Sequence, residues 1–438
     1  MRGYDFVIVG TGVGGTAVAR ELARHTDSLL MLECAREYRD LGGALGMLRY
    51  LDERRLERGV YAHRALMAGG TAVLSCANGP RCLEEELSGL GIDLGEDFAE
   101  VEREIGVTPT PASALSPGSL ALIAAGRVLG VTFRPMPKMI DFVRCRACGL
   151  CMLGCRSGAK WTPLQWLDEL VAQGVRVCLQ TRVERVRHHG GRVIGVEVLG
   201  PDGAGFIPAR HVILAAGALA TPVILQRSGF PDAGTHLAVD PAAIVYGITE
   251  GLSTVGEPVM SLIADDMHKS RGFLLSPFSE NLTAGRVVTL GLRSLRYPAR
   301  RMLGLMVKIK DDCSGRVLPD GRATKRMTRG DRARMADGTG LAKQILRVAG
   351  AREPFLVGRV NGGHPCCTAG IGRIVDHDLQ TRIRGLYVAD ASVFPESPGK
   401  PTIVTIAALA KRLGKYLVAR MTDTGLTRER RRAAVCAA

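Results

Sequence analysis

The sequence predicts an α/β fold, in which a parallel sheet carries helices and a β-meander and a smaller α+β domain is attached to it. Three observations predict this fold. A glycine-rich turn joins an apolar strand to a helix near the start of the chain, and apolar and charged residues alternate in two runs between Val175 and Leu199. Short β-like runs then replace this pattern from Thr235 to Val360. A chain of 438 residues is long enough for two domains.

The apolar run from Tyr4 to Val9 predicts a buried parallel strand, and it leads into a G-x-G-x-x-G turn at Gly10, Gly12 and Gly15. In a Rossmann-like unit the first glycine permits the tight turn and the second lets the backbone approach a pyrophosphate. The third allows the helix to pack closely on the strand. The N-terminus of the helix favours a bound phosphate. We therefore predict a dinucleotide site here.

Two further segments are expected at the same site. A second strand from Ser28 to Leu32 ends at Glu33, whose carboxylate can accept hydrogen bonds from ribose hydroxyls. In the run MAGGTAVLS, Gly69, Gly70 and Thr71 predict another close approach of the backbone to the ligand, with a simple turn as the alternative.

The composition restricts the class of partner. The formal net charge is +15, but the basic residues are scattered apart from Arg428 to Arg432, and aromatic residues are few. An acidic protein is therefore a better candidate partner than nucleic acid. No apolar run reaches the length of a transmembrane helix. Because the glycine turn lies at the start of the chain, we expect no signal peptide and a cytoplasmic protein.

Four of the twelve cysteines form one array. Cys145, Cys148, Cys151 and Cys155 follow the spacing C-x2-C-x2-C-x3-C, which is typical of a [4Fe-4S] cluster, and Gly149 and Gly154 relieve crowding of the loop. Zinc and free or disulfide-bonded thiols are the alternatives, although zinc knuckles are usually further apart. The fourth ligand stays open between Cys155 and the remote thiols Cys76, Cys82, Cys366 and Cys367.

Later segments complete the pattern. Helices are predicted over Leu94 to Val107, Trp161 to Gln173, Asp331 to Gly350 and Thr402 to Met421. The run GLYVADASVF predicts a buried strand that ends at Asp390.

With these pieces in order, the chain resembles the glucose-methanol-choline family of FAD-dependent oxidoreductases over nearly its whole length. The resemblance is carried by VIVGTGVGG with Glu33, AGGTAVLS, HVILAAGALATPVILQRSG and the block from HPCCTAG to TIAALA. Some members also carry a cysteine array before GAK, as CGLCMLGCRSGAK does. The resemblance implies FAD as the cofactor, with Val183 near the adenine and Asp390 and Ala391 near the pyrophosphate and ribityl chain.

The resemblance also implies a GMC oxidoreductase-like division into domains. Residues 1–83, 156–235 and 360–420 would form a discontinuous FAD-binding domain. Residues 84–155 would form a cap segment with the cysteine loop 145–155, residues 236–359 a substrate or partner domain, and residues 421–438 a basic tail.

By the same resemblance the catalytic histidine is His364, which would take the hydroxyl proton of an alcohol while hydride passes to the flavin. The family's second site, an Asn or His before a Pro, is replaced here. The adjacent Lys400, together with the dipole of the helix that begins at Thr402, is expected to stabilise an anionic reduced flavin.

These features predict a dehydrogenase that oxidises a CH-OH group of a small-molecule substrate. FAD would be the first acceptor, and a [4Fe-4S] cluster would pass electrons to a one-electron acceptor, an acidic electron-transfer protein or a partner subunit. The alternatives are a ferredoxin-driven reductase of a carbonyl or alkene, an electron-transfer subunit without its own substrate, and a structural role for the cysteines.

Overall fold

The structure is a computed structural model and describes residues 3–57 and 60–424. The α-helices are α1 (Val13–Ala23), α2 (Ala44–Met47), α3 (Glu84–Gly89), α4 (Gly95–Glu104), α5 (Pro117–Val128), α6 (Pro163–Ala172), α7 (Thr221–Arg227), α8 (His268–Arg271), α9 (Thr283–Leu290), α10 (Arg329–Val348) and α11 (Ile403–Thr424).

The strands are β1 (Tyr4–Val9), β2 (Leu29–Leu32), β3 (Leu51–Glu57), β4 (Val60–Ala65), β5 (Thr108–Pro109), β6 (Arg134–Pro135), β7 (Pro137–Lys138), β8 (Arg176–Cys178), β9 (Arg182–His189), β10 (Arg192–Gly200), β11 (Gly203–Leu214), β12 (Thr235–Leu237), β13 (Pro241–Ile248), β14 (Leu262–Ile263), β15 (Phe273–Pro277), β16 (Met302–Ile309), β17 (Gly315–Val317), β18 (Ala323–Thr324), β19 (Arg352–Val357), β20 (Val360–Gly362) and β21 (Leu386–Val388).

The first sheet contains the predicted parallel core and the predicted meander. Its strand order is β8-β2-β1-β11-β10-β9, and β21 also pairs with β11. The long strand β11 joins the two parts. Its first half pairs antiparallel with β10, and its second half lies parallel to β1 and β21. Helices α1 and α11 cover this sheet and contribute Val18, Leu22 and Leu413 to its core.

The second sheet has the order β15-β16-β13-β20-β4-β3, with β19 paired to β13. Alternate residues of β16 point to opposite faces. Leu305 and Val307 pack in the core with Ile345 and Leu346 of α10, whereas Met306 and Lys308 line a cleft. This sheet therefore forms one wall of the candidate site.

Strands β3 and β4 form an antiparallel pair that lies between Glu33 and Gly69 in the sequence. Strand β4 also pairs with β20, which joins this pair to the second sheet. The first strand of the pair, LDERRLE, is mostly charged, so no hydrophobic alternation marks it.

The predicted helices are present, and local sequence explains where they begin. Thr162 and Gln165 form a capping box ahead of Pro163 at the start of α6, and Thr328 with Asp331 does the same for α10. Within the described residues no helix is long and apolar enough to cross a membrane. Helix α11 reaches Thr424, and the arginine run at 428–432 lies outside the described residues.

Candidate active site

A cleft of about 1620 Å³ lies between the carboxyl ends of the first sheet's parallel strands and the face of the second sheet. Ligand pockets for small molecules usually measure about 300–1,000 Å³. The cleft therefore has room for a dinucleotide together with a substrate. It is lined by most of the residues predicted to bind the cofactor: Gly10, Gly12, Glu33, Gly69, Gly70, Thr71, Val183, Asp390, Ala391 and Thr402.

The glycine turn has the geometry of a phosphate site. Gly10 has a φ of +105°, and a Cβ on it would lie 2.3 Å from the carbonyl oxygen of Ala215. A Cβ on Gly15 would lie 2.0 Å from the carbonyl oxygen of Gly10, so this glycine is needed for helix packing, and it does not line the cleft. Gly12 differs, because a Cβ there would meet nothing within 4 Å. The open space in front of the N-terminus of α1 fits a phosphate group of FAD.

The second glycine pair closes onto this turn. The N-H of Gly69 donates to the hydroxyl of Thr11 at 3.1 Å, and a Cβ on Gly70 would lie 3.4 Å from the Cα of Gly12. Glu33 is buried and accepts hydrogen bonds from the N-H and hydroxyl of Thr11 and from the N-H of Ala35. The thiol of Cys34 is a fourth, weak donor at 3.4 Å from Oε1 of Glu33. A carboxylate has about four lone-pair positions, so a ribose hydroxyl would bind Glu33 in place of this thiol.

Asp390 lies in the cleft wall beside the start of α1. Its carboxylate accepts hydrogen bonds from the N-H of Gly217 at 2.8 Å, the hydroxyl of Thr221 at 2.6 Å and the N-H of Ser392 at 2.8 Å. Burial raises the pKa of Asp390 despite these bonds. Asp390 therefore shapes the loop beside Ala391, and both residues face the same space as Gly12.

His364 lies in the cleft wall beside two buried charged groups. Its Nδ1 is 3.1 Å from Oδ2 of Asp240 and 2.7 Å from Nζ of Lys308. Burial and the charge of Lys308 lower the pKa of His364. Burial opposes ionisation of Asp240, but hydrogen bonding to His364 and the charge of Lys308 lower its pKa. The imidazole is therefore held neutral next to a carboxylate, which suits an acid-base group.

Lys400 contacts His364 through its backbone, in a hydrogen bond that acts to raise the pKa of the imidazole, and the role predicted for its ammonium at the flavin stays a prediction. Its Nζ pairs with Oδ2 of Asp265 at 2.8 Å, and its side chain lines a second, smaller cavity. The cation beside His364 is Lys308 instead. Proximity in sequence to Thr402 did not place the ammonium in the cleft, because the chain turns at Gly399 with a φ of +58°.

Asp240 is itself fixed by a buried network. Its Oδ1 accepts hydrogen bonds from the hydroxyl of Ser397 at 2.7 Å and the N-H of Gly399 at 3.0 Å. Asp311 accepts from the N-H of Asp240 at 3.0 Å and pairs with Lys325 at 2.9 Å. Burial raises the pKa of Asp311 to about 6. This network holds the Asp240 carboxylate in one position against His364.

The cysteine loop borders the same cleft. Gly149, Leu150, Met152 and Leu153 line it, and Cys151 packs against the apolar cluster of Val259, Met260, Phe278 and Met306 in its wall. Gly149 and Gly154, which were expected to relieve crowding in this loop, have φ angles of +67° and +96°. Burial, together with the charges of the thiols of Cys151, Cys148 and Cys155, raises the pKa of Cys145.

The thiols do not form a closed metal site in this structure. Among the residues that the structure describes, no group of three or more His, Cys, Asp or Glu side chains is placed to hold a metal ion. The donor set of four thiols still fits an iron-sulfur cluster chemically. The remote thiol Cys76 is half-buried, lines the cleft and packs in the same apolar cluster as Cys151.

Two buried lysines support the cysteine loop. The ammonium of Lys138 donates to the carbonyl oxygen of Cys76 at 2.9 Å and to Oδ1 of Asn78 at 2.6 Å. That of Lys160 donates to the carbonyl oxygens of Cys151 and Val73, each at 2.7 Å. Neither ammonium lies within ion-pair distance of a carboxylate in the described part of the chain. Burial lowers the pKa of Lys138 and lowers that of Lys160 to about 8. A negative charge on the cysteine loop would favour the charged form of both lysines.

Sequence reasoning missed the groups that surround His364. Lys308 had a signal, since it is the single charged residue in the apolar strand MLGLMVKI. Asp240 precedes Pro241 at the start of β13 and has a left-handed φ of +49°, which the sequence does not reveal. Asp240 and His364 are 124 residues apart, so their contact depends on the tertiary fold.

Comparison with known proteins agrees with this geometry. Models of the GMC oxidoreductase family match residues 87–256 and 311–410. A GMC-type oxidoreductase of Mycobacterium tuberculosis is 29% identical, over 95% of this chain and 76% of its own length. A long-chain-alcohol oxidase of Arabidopsis thaliana is 25% identical, over 94% of this chain and 67% of its own.

The fold is also similar to solved structures. The crystal structure of pyridoxine 4-oxidase from Mesorbium loti superposes with a TM-score of 0.74 at 20% identity, covering 94% of this chain and 99% of that one. The two family models together span more than half of the sequence. The chain therefore belongs to the GMC oxidoreductase family and is an FAD-dependent oxidoreductase.

Proposed function

We propose that the protein is a dehydrogenase that oxidises a CH-OH group of a small-molecule substrate. The position of His364 carries this proposal, because a neutral imidazole lines the cofactor cleft and is oriented by the buried carboxylate of Asp240. Such a group can take the proton of a substrate hydroxyl. When bound, FAD supplies the acceptor for the hydride. The names of two similar proteins, an alcohol oxidase and pyridoxine 4-oxidase, support this class of substrate.

The wall of the cleft near His364 indicates a substrate with an apolar part. Val259, Met260, Phe278 and Met306 form a buried cluster there. Apolar surface in a pocket favours ligands that bury apolar atoms against it. We therefore propose an alcohol with a hydrocarbon or aromatic group as the substrate.

We further propose that Cys145, Cys148, Cys151 and Cys155 hold a [4Fe-4S] cluster. Such a cluster would supply one-electron transfer to an external acceptor. The positions of the buried amines of Lys138 and Lys160 support the proposal, since the negative charge of thiolate-bound iron would stabilise their ammonium forms. The side chains must converge when metal binds, as metal binding and local folding are coupled.

The surface around the loop suits an acidic electron-transfer protein or partner subunit. Cys148 is exposed, and the exposed residues Arg144, Arg146 and Arg156 surround it in sequence. Opposite charges steer two proteins together and fix their orientation. The net charge of +15 acts in the same sense.

The reverse reaction is the second candidate. The contact from Lys308 to Nδ1 of His364, at 2.7 Å, favours it. A charged Lys308 leaves the ring proton on Nε2, and that proton could be donated to a carbonyl or alkene reduced by ferredoxin. An electron-transfer subunit without a substrate would not require His364 at all.

Anaerobic spectroscopy of the FAD-loaded protein tests the proposal. We expect 1-octanol or pyridoxine to bleach the oxidised flavin, and His364→Asn to slow the bleaching by about 100-fold or more without loss of FAD. His189→Asn is the matched control, because His189 is exposed at the end of β9 and does not line the cleft. Bleaching that survives in His364→Asn would contradict the proposal. Reoxidation of the reduced protein by aldehydes, with no bleaching by alcohols, would favour the reverse reaction.

A further inference from the structure

Lys308 is a buried amine that contacts His364. Its residue is 5% exposed, and its Nζ lies 2.7 Å from Nδ1 of His364. The Oδ2 atom of Asp240 is 3.8 Å away, beyond hydrogen-bond distance. The amine therefore interacts most directly with the imidazole.

The two neighbours of Nδ1 require different positions of one proton. The ionised carboxylate of Asp240 can only accept a hydrogen bond, so Nδ1 must then carry a proton. The charged ammonium of Lys308 can only donate, so Nδ1 must then carry a lone pair. Both contacts are satisfied together when Lys308 is a neutral amine, because Nδ1-H then faces two acceptors. The protonation state of Lys308 therefore selects the tautomer of His364.

We propose that Lys308 receives the substrate proton through His364, so that Asp240, His364 and Lys308 form a proton relay. The inference rests on the proposed oxidation of a CH-OH group. In the resting form the amine is neutral, Nδ1-H is shared with Asp240, and Nε2 carries a lone pair.

The relay balances the reaction. The substrate O-H proton moves to Nε2, and the proton on Nδ1 moves to Nζ of Lys308. The C-H bond of the carbinol breaks, and FAD, when bound, would accept its hydrogen and electron pair as hydride. The electrons of the O-H bond form the second bond of the carbonyl. Lys308 ends as an ammonium, and His364 ends as the Nε2-H tautomer.

The surroundings of Lys308 are consistent with this cycle. Burial lowers its pKa, which favours the neutral amine. The titratable groups that face it are Asp240, Cys76, Cys366 and Asp311, and each of them favours the charged form when ionised. Asp311 is neutralised by Lys325 at 2.9 Å, so Asp240 is the carboxylate that stabilises the ammonium after proton transfer.

Lys308 acts through His364 and is therefore a positioning residue. Arginine separates its two roles, because a guanidinium can donate to Nδ1 but cannot be deprotonated in a protein. A residue that serves only as a fixed cation would tolerate Lys308→Arg. A residue that stores a proton would not.

NMR of the FAD-loaded full chain, labelled with ¹⁵N in the histidine rings, tests the relay. His364→Asn assigns the His364 signals. We expect the wild-type ring to change from the Nε2-H to the Nδ1-H tautomer as the pH rises from about 6 to about 11, a range that covers the ordinary pKa values of histidine and lysine. In Lys308→Met the neutral ring should remain Nδ1-H, and in Lys308→Arg it should remain Nε2-H. Lys310→Met, which alters a lysine paired with Glu86 at 3.3 Å in the second cavity, should behave as wild type.

A single His364 tautomer throughout the wild-type titration would overturn the relay, and so would a Lys308→Arg ring that changes tautomer as the wild type does. The wild-type titration decides the question even if a Lys308 variant does not fold. A ring that changes tautomer as expected, in a protein whose flavin no alcohol bleaches, would support the relay contacts and count against the proposed oxidation alone.

Discussion

Replacing Gly12 by alanine should impair the cofactor site without harming the fold. Gly12 has a φ of −72°, which any residue adopts, and a Cβ there would meet nothing within 4 Å. Alanine is a poorer N-cap than glycine, but it also restricts the unfolded chain, and these effects of about 0.5–1 kcal/mol offset each other. The apoprotein should therefore keep its stability to within about 0.5 kcal/mol. The new methyl group would occupy the space in front of the N-terminus of α1. FAD affinity should fall at least about tenfold, or about 1.4 kcal/mol.

Gly14→Ala is the matched control. A Cβ there would lie 1.6 Å from the carbonyl oxygen of Ala389, so the helix or β21 must shift, at a cost of about 1–3 kcal/mol or more. Urea unfolding of the apoproteins measures stability, and quenching of FAD fluorescence on titration measures affinity. Gly12→Ala with wild-type FAD affinity would refute the placement of the cofactor. Gly12→Ala as unstable as Gly14→Ala would refute the structural reasoning.

Two further predictions concern stability. Burial lowers the pKa of His211 to about 4. Between about pH 6.5 and pH 4 the unfolded chain therefore binds a proton that the folded chain does not, and the free energy of unfolding decreases as the pH decreases. Between pH 8 and pH 5, His211→Phe should lose about 2 kcal/mol less stability than wild type, as measured by urea unfolding at both pH values. Equal losses in the two proteins would contradict this. Lys411→Met should cost about 2–4 kcal/mol, because buried Lys411 pairs with Glu21 at 2.8 Å and Glu104 at 2.7 Å. The more exposed Lys415, paired with Asp97, is the control, and Lys415→Met should cost less than about 1 kcal/mol; equal costs would refute the burial argument.

The parts of the site that depend on local sequence could be predicted. The glycine turn and Glu33 sit in one strand-turn-helix-strand unit, so residue types and spacing were enough to bring them to one cleft. The need for glycine at positions 149 and 154 is also local, since it depends on crowding within a short loop, and both residues have positive φ angles.

The surroundings of His364 could not be predicted in this way. Lys400 is close to the site in sequence but forms its ion pair with Asp265, whereas Lys308 reaches the cleft because alternate residues of β16 face it. Asp240 meets His364 only after β13 and β20 pair in the second sheet. Such contacts depend on strand pairing and on which face of a sheet is covered. The charged sequence of β3 also lacks the hydrophobic alternation that would predict a strand, so this part of the second sheet could not be predicted.

Metal and flavin analysis of anaerobically purified protein, with an electron paramagnetic resonance spectrum after dithionite reduction, tests the central claim most directly. The account predicts one FAD and about four iron atoms per chain, with a cubane-type signal that Cys148→Ser abolishes while FAD is retained. A protein that holds flavin but no iron, or that holds zinc and unfolds when Cys148 is replaced, would contradict it.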